Sequence, residues 1–209
     1  MPGSPQVSCT LVLACFRLSA DGLAVFAPGG LLPRRTHSGG NTQEAARDLI
    51  DTTTRSRWFE VAGPVSRAHG SLLTLAIAAA SPRATEAADA DWTPLARIAR
   101  LSDADRAVVR HAQTFIRWRS YFAPVAFALA GDPFTLSDLQ DAYERLLGRP
   151  VHKAGFRRAL AAAALTRPVK TWRQDGRGRP AQLYRYSKPK GRTNRPLRFD
   201  LIGTDQQRA

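Results

Sequence analysis

Residues 134–165 read FTLSDLQDAYERLLGRPVHKAGFRRALAAAAL and predict two helices joined by a short turn. The first helix is expected to begin at Thr135 or Ser137, because either hydroxyl can cap a helix N-terminus. Gly148 is expected to end it, since glycine readily adopts the left-handed conformation that follows many helices. Six residues give this helix an apolar face at helical spacing: Leu136, Leu139, Ala142, Tyr143, Leu146 and Leu147.

The segment after this helix predicts a second helix and then a hairpin. The second helix is expected from about His152 to Leu165, with three residues facing inward: Phe156, Leu160 and Ala163. Strands are expected at Val169–Trp172 and Gln182–Tyr186, joined by a turn rich in Gly and Arg. Helix, short turn, helix and basic hairpin follow one another in this order in a winged helix-turn-helix domain.

The positive charge of the chain is concentrated at the same end. The formal net charge is +14, and residues 145–209 hold 17 of the 31 Lys and Arg residues but only 3 of the 17 acidic residues. Such a concentration indicates a polyanionic partner, either nucleic acid or an anionic membrane surface. Because a patterned domain underlies the charge, double-stranded DNA is favoured over the alternative of a solubilising tail.

Cationic side chains of the second helix and the hairpin are the predicted DNA-binding residues: His152, Lys153, Arg157, Arg158, Arg173, Arg177 and Arg179. In helix-turn-helix proteins the N-terminal part of the second helix enters the major groove, where Arg can bind guanine O6 and N7. Gly155 offers no side chain and would allow the backbone to approach DNA. A Gly-rich hairpin tip suits insertion into a minor groove or contact with phosphates. The alternative is that these charges only solvate an exposed helix and a surface loop.

The first half of the chain mixes strands and helices. Strands are expected at Val7–Leu18, Leu23–Phe26, Trp58–Ala62 and Ser71–Ala80, although the last is alanine-rich and could be helical. A loop is expected at Ala27–Gly40. A helix is expected from Thr42, as its N-cap, to about Thr53.

Two cysteines, Cys9 and Cys15, lie in the first apolar run and are expected to be buried free thiols in a reducing cytoplasm. Val7–Phe16 is too short to span a bilayer, so neither a membrane segment nor membrane association is expected. No metal-ligand spacing is present, and none of the four histidines lies at one. The sequence therefore predicts a cytoplasmic protein.

The boundary between the two halves is expected in a helix from Asp103 to about Ala123. Ser102 can cap this helix, and Val108, Ala112 and Phe115 mark one face. The predicted organisation is a domain of mixed α and β structure at 7–101, a linker helix at 102–123, a winged helix at 124–187 and a basic tail at 188–209 without a strong pattern.

Residues 121–187 resemble the C-terminal winged helix of the Nudix-related transcriptional regulators, the NrtR family. The resemblance lies in Phe134-Thr135-Leu136, Leu139-Gln140, Tyr143-Glu144 and Leu147-Gly148-Arg149, and continues in Phe156-Arg157-Arg158, Gly178-Arg179-Pro180-Ala181 and Leu183-Tyr184. It implies an α+β protein in which a Nudix-like α/β/α sandwich precedes the winged helix. It also implies a homodimer on palindromic DNA that represses genes of NAD synthesis or related pathways in response to a nucleotide effector such as ADP-ribose.

The Nudix box, a sequence motif whose carboxylates bind magnesium in Nudix hydrolases, is degenerate in this chain. With Arg47 aligned to the Arg of the box, Asp51 is the remnant of one metal-binding Glu, whereas Thr52 replaces another. Pro33, Gly39 and Thr54 replace three further Gly and Glu positions. Loss of carboxylates should weaken magnesium binding, so the resemblance implies a sensor that requires no metal rather than a hydrolase.

Three basic residues are candidates for binding a pyrophosphate effector: Arg34, Arg35 and Arg47. The alternative is that Arg34 and Arg35 are ordinary loop charges and that Arg47 pairs with Asp51 one helical turn later. Two other functions remain open at this stage: a Nudix-type pyrophosphohydrolase with a DNA-binding accessory domain, and an RNA-binding or nucleoid protein that uses charge without sequence selection.

Overall fold

A computed structural model of the chain describes residues 8–20, 22–67, 73–82, 89–174, 180–188 and 197–199. It divides the chain into two compact units, residues 1–116 and 117–209. Both helices and sheets are present, as the predicted α+β class requires. The two units are described separately.

A six-stranded mixed sheet forms the centre of the first unit. Its strands are β1 (Ser8–Ser19), β2 (Gly22–Phe26), β3 (Arg34–Ser38), β4 (Trp58–Arg67), β5 (Leu73–Ala80) and β6 (Trp92–Pro94). The order is β4-β5-β1-β2-β6, with β3 also paired to β1. β1 runs parallel to β5 and antiparallel to β2 and β3. The alanine-rich segment is thus a strand, as expected, and it lies between β1 and β4.

The expectation of a loop throughout Ala27–Gly40 is wrong, because β3 lies within it. Residues 34–38 pair with residues 8–12 of β1, while residues 16–19 of β1 pair with β2. Along this side of the 12-residue β1, β2 therefore pairs only with the C-terminal part, and β3 pairs with the N-terminal part. The side chains of β3 are largely exposed, so main-chain pairing with β1 rather than an apolar pattern makes this segment a strand.

The core of the first unit lies on both faces of β1. Leu11, Leu13 and Cys15 pack in one cluster with residues of β2, β5 and α1 (Thr42–Asp51), among them Ile50. The alternate residues Val12, Ala14 and Phe16 are also buried. A strand covered on both faces is what its nearly continuous apolar sequence predicts.

The N-cap of α1 is Asn41 rather than the expected Thr42. The Asn41 side chain accepts a hydrogen bond from the Gln43 backbone N–H at 3.0 Å, which satisfies one of the free amide groups at the helix start. Asn and Thr are both good caps, and the sequence pattern located the start of α1 only to within one residue.

A long helix, α2 (Asp103–Arg119), begins in the first unit and continues across residue 116. The Ser102 hydroxyl accepts from the Asp105 N–H at 3.1 Å, as the predicted cap requires. The buried face consists of Asp105, Val108, Val109, Ala112 and Ile116. Phe115, which we expected on this face, is only half-buried because Ile116 occupies the inward position.

The second unit has the elements of a winged helix. After α3 (Val125–Ala130) come β7 (Phe134–Thr135), α4 (Leu136–Leu147), α5 (Lys153–Ala162), β8 (Thr166–Arg173) and β9 (Ala181–Tyr186). The three strands form a sheet in the order β7-β9-β8. Thr135 and Asp138 form a reciprocal capping box at the start of α4, and Gly148 ends α4 with a φ of 71°. α5 is shorter than expected at its C-terminal end, because β8 already begins at Thr166.

Part of the predicted tail packs on the second unit. Leu197 is only 4% exposed, and its N–H donates to the Tyr121 carbonyl oxygen at 2.8 Å. The ring of Phe199 lies edge-on to Tyr143 and Phe156. Residues 188–209 are therefore not only a charged tail, since Leu197 and Phe199 complete the apolar core of this unit.

Among the described residues, no helix is both long enough and apolar enough to cross a membrane. The two cysteines are free and buried, as expected.

The first prediction concerns these thiols. Burial raises the pKa of Cys15 to about 11, which hydrogen bonds from Ser56, Thr54 and Ser81 offset only in part. Burial also raises the pKa of Cys9. At pH 8 only about one Cys15 thiol in a thousand would be ionised, and the thiolate is the nucleophile. We expect no alkylation of Cys15 by iodoacetamide in the folded protein and full alkylation of both thiols in urea, assigned by fragment-ion mass spectrometry. Rapid labelling of Cys15 in the folded protein would contradict this packing.

Candidate nucleic-acid interface

Packing of α5 determines which of its side chains face solvent. Phe156 and Leu160 are fully buried, and the Phe156 ring contacts Tyr143 of α4 with 5.4 Å between centroids. Successive residues of a helix are about 100° apart, so a face opposite these two residues remains exposed. Arg157 and Arg158 lie on that exposed side, and Lys153 is exposed at the first residue of α5. The structure thus places two of the predicted DNA-binding residues on the face of α5 that points away from the core, with a third at its N-terminal end.

Two alanines form the middle of this exposed surface. Ala154 and Ala161 are exposed, and by helix geometry they lie between Arg157 on one side and Arg158 on the other. These alanines were not among the predicted DNA-binding residues, although their small side chains would let the helix approach a surface closely. Their spacing of seven residues, two helical turns, was the available signal.

His152 and Gly155 have structural positions that the sequence did not reveal. His152 is the N-cap of α5, and its Nδ1 accepts from the Gly155 N–H at 3.2 Å. Its ring is exposed, so the cap leaves the imidazole at the surface. Gly155 is buried on the flank of α5, and close approach of its backbone to DNA stays a prediction.

Arg173 lies at the end of β8, where it forms a two-pronged ion pair with Asp138. Nη1 donates to Asp138 Oδ2 and Nη2 to Oδ1, each at 2.8 Å. This ion pair joins the hairpin to the capping box of α4. Arg177 and Arg179 lie outside the described residues. β8 also exposes the cationic side chains of Arg167 and Lys170 and the ring of Trp172, which is 57% exposed; none of the three was a predicted DNA-binding residue.

The candidate effector residues each have a partner within the first unit. Arg34 Nη2 donates to Asp105 Oδ1 at 2.6 Å, and Asp105 is only 1% exposed. Arg35 pairs with Asp48 of α1 at 3.5 Å. Because adjacent residues of a strand point to opposite faces, Arg34 and Arg35 diverge toward α2 and α1 respectively.

Arg47 does not pair with Asp51, which was the alternative to an effector role. Its guanidinium lies over the ring of Phe59, 4.8 Å from the centroid. A cation over an aromatic face is attracted by the ring quadrupole, so this contact holds Arg47 against β4.

The degenerate Nudix box does not fit a magnesium ion. Asp51 is the last residue of α1, and the Thr52 hydroxyl donates to the carbonyl oxygens of Asp48 and Leu49. Thr52, which stands where the Nudix box has a metal-binding Glu, therefore caps the C-terminal end of α1. Across the described residues, no three His, Cys, Asp or Glu side chains come together as a metal site.

Known proteins resemble this chain in both units. Residues 126–186 match the family described as the NrtR DNA-binding winged helix domain. The structure of Shewanella oneidensis NrtR complexed with a 27mer DNA is 25% identical, with a TM-score of 0.65 over 86% of this chain and 93% of that chain. Shewanella oneidensis NrtR alone is 23% identical, with a TM-score of 0.64 over 86% and 94% of the two chains.

A MutT/nudix family protein from Enterococcus faecalis has the same fold at 14% identity, with a TM-score of 0.61 over 90% of this chain and 89% of that one. Comparison with curated proteins finds no match. The fold and the exposed basic helix thus define a regulator-type protein with a Nudix-like unit followed by a DNA-binding winged helix. More particularly, residues 126–186 match the NrtR winged helix, the part of the chain in which the sequence resemblance to that family lies.

The second prediction concerns the Asp138 carboxylate, which serves both the capping box and Arg173. Partial burial alone would raise the pKa of Asp138, but hydrogen bonds from Arg173 and Thr135 outweigh it and lower the pKa below 3.8. A lowered pKa in the folded state stabilises the fold above pH 3.8, and this stabilisation is lost as the pH falls through the folded pKa. We expect Asp138→Asn to lower the free energy of unfolding by about 1 kcal/mol at pH 7.

Urea unfolding at pH 7 and at pH 3 measures this effect. The free energies of unfolding of wild type and Asp138→Asn should differ less at pH 3 than at pH 7. The matched control is Asp141→Asn, since Asp141 forms a half-exposed pair with Arg145 one turn away on α4, for which a loss below about 0.5 kcal/mol is expected. An equal loss in both variants would show that the capping box contributes nothing specific.

Proposed function

We propose that this protein is a transcriptional regulator that binds a palindromic duplex operator as a homodimer. It represses genes of NAD or related nucleotide metabolism, and a nucleotide such as ADP-ribose is its effector. The observation that carries the proposal is the exposed basic surface of α5 within an NrtR-type winged helix. The site of action is the cytoplasm, where the operator would lie.

The shape of α5 supports its entry into a major groove. The groove of B-DNA is about 12 Å wide, and an α-helix with side chains is about 10–12 Å across. Ala154 and Ala161 add little width at the outermost point of α5, while Arg157 and Arg158 flank them. Two copies of α5 about 34 Å apart would bind two half-sites one DNA turn apart, which is why a dimer suits a palindrome.

Shewanella oneidensis NrtR supplies the comparison for the partner, because it has been crystallised with a 27mer DNA. The concentration of 17 Lys and Arg residues after residue 144 gives this chain the electrostatic means to bind a similar polyanion.

The Arg34–Asp105 ion pair supports a route for the effector. Asp105 belongs to the first turn of α2, which runs on to Arg119 without interruption. An anionic nucleotide that engaged Arg34 would compete with Asp105 and leave a buried carboxylate unpaired, which is costly. The effector would shift regulation only if it bound one conformation of the dimer more tightly than the other.

No observation favours the alternative of a pyrophosphohydrolase, because the remaining donors of the Nudix box do not fit magnesium. Turnover of ADP-ribose with magnesium or manganese, abolished in Asp51→Ala, would nonetheless restore that alternative. An RNA-binding or nucleoid protein would bind all duplexes equally, or structured RNA more tightly.

The experiment that tests the proposal is an anisotropy titration of labelled duplex DNA from upstream of the protein's own gene. It is run at several salt concentrations, with and without ADP-ribose. We expect tight, sequence-selective binding that weakens steeply with salt and that ADP-ribose weakens further. Selective binding that ignores ADP-ribose would remove this effector, and binding without any sequence preference would contradict an operator-specific regulator.

Substitutions on α5 separate contacts to bases from contacts to phosphates. Arg157→Ala and Arg158→Ala are each expected to weaken duplex binding, and at least one of them to relax the base preference by about 1–3 kcal/mol. Arg110→Ala is the matched control, because Arg110 is an exposed residue of α2 whose loss removes the same charge. Competition against single-base operator variants measures the preference. If both α5 variants keep the wild-type preference, α5 does not contact base edges.

The hairpin gives a further comparison with the α5 variants. If Arg177 or Arg179 neutralises a phosphate, its replacement by Ala should lower the salt slope by about one and leave base preference unchanged.

A further inference from the structure

The segment Leu197–Phe199, here called the C-terminal clip, is fixed at both ends. The Leu197 N–H donates to the Tyr121 carbonyl oxygen at 2.8 Å, and its side chain is buried. The Phe199 ring lies 5.2 Å from Tyr143 and 5.4 Å from Phe156 between centroids, edge-on to both. Because both neighbours are anchored in the core, Arg198 is held between them while its own side chain stays exposed.

The clip forms one wall of a cleft along α5. The cleft has a volume of about 340 Å³ and is lined by Gly155, Arg158, Ala159, Ala162, Arg198 and Phe199. The small residues of α5 form its floor, since positions 155, 159 and 162 lie on one flank of the helix. Arg158 and Arg198 reach the same cleft from two separate segments of the chain.

The side chains that line the cleft, among the residues that the structure describes, carry only positive charge. None of its six lining residues is acidic. Within the described part of the chain, no carboxylate pairs with Arg158 or Arg198. Two guanidinium groups that share an open cleft repel each other, and an anion between them would remove that cost. Guanidinium groups match the geometry of phosphate oxygens, so phosphate is the anion that this cleft suits.

The position of the cleft indicates where that phosphate comes from. Gly155, Ala159 and Ala162 lie on the flank of α5, to one side of the exposed residues Ala154 and Ala161. When a helix enters a major groove, its outermost face meets base edges and its flanks meet the sugar-phosphate strands. We infer that Arg198 of the C-terminal clip and Arg158 of α5 together bind a backbone phosphate of duplex DNA beside the groove.

This inference rests on the proposed function and refines it. It assigns Arg158 to the phosphate strand and leaves Arg157, on the opposite side of the alanines, as the α5 arginine that contacts base edges. It also extends the DNA-binding surface beyond the winged helix predicted at 124–187, to the C-terminal clip.

Salt-dependent anisotropy of the full-length chain tests the inference. Arg198→Ala should lower the slope of log affinity against log salt by about 0.9 and weaken binding about five-fold at 0.15 M salt, the contribution of one neutralised phosphate. Base preference should not change, because a phosphate contact carries no sequence information. Arg198→Lys should keep most of the slope. Arg158→Ala with Arg198→Ala should lose less than the sum of the two single effects, since both side chains share one phosphate.

The controls separate this inference from the proposed function. Arg110→Ala removes an equal charge from the first unit and should leave the slope nearly unchanged. Arg198 is exposed, so the thermal midpoint of Arg198→Ala should equal that of wild type. If wild type binds duplex DNA and Arg198→Ala behaves as Arg110→Ala does, the inference is overturned and the proposed function stands. Changed base preference in Arg198→Ala would also overturn it. If wild type binds no duplex, both fall.

Discussion

The contact between Phe156 of α5 and Tyr143 of α4 sets the orientation of the basic helix. Both rings are buried, and their centroids lie 5.4 Å apart. Loss of such a ring to alanine typically costs about 3–5 kcal/mol, more than any surface charge contributes to folding. Since α5 can bury only one side, this contact determines that Arg157 and Arg158 face solvent. The affinity for a polyanion thus depends on an apolar contact that never touches it.

Other elements hold the same arrangement from different directions. Phe199 packs against both of these rings and ties the C-terminal clip to them. Asp138 joins the start of α4 to Arg173 at the end of β8, so that helix and hairpin share one carboxylate. In the first unit, a separate ion pair between Arg34 and Asp105 joins β3 to α2. Both ion pairs join elements that lie far apart in the sequence.

Sequence periodicity predicted the elements that bury a regular apolar face. It identified α4, α5 and β1 because their apolar residues recur at the spacing of a helix or continue through a strand covered on both faces. It missed β3, whose side chains are exposed and which forms by main-chain pairing with β1. It also missed the clip, because a contact between residues 199 and 156 leaves no local pattern in the sequence.

The residues of the candidate site also divide into those that local sequence spacing predicts and those that only the fold brings together. The charges on α5 were predictable, since a helical spacing fixes which residues share an exposed face. The partners of Arg34, Arg47 and Arg173 were not, because Asp105, Phe59 and Asp138 lie far from them in sequence and reach them only through the fold. For Arg47 the local alternative, Asp51 on the next turn, was wrong for this reason.

Amide hydrogen exchange of the full chain, with and without a bound operator duplex, tests the central claim that α5 is the element on the DNA. The account predicts slower exchange in peptides covering residues 152–162 and 197–199 when duplex is added, with little change in β1 and β5. Slowing confined to the first unit, with α5 unchanged, would contradict it.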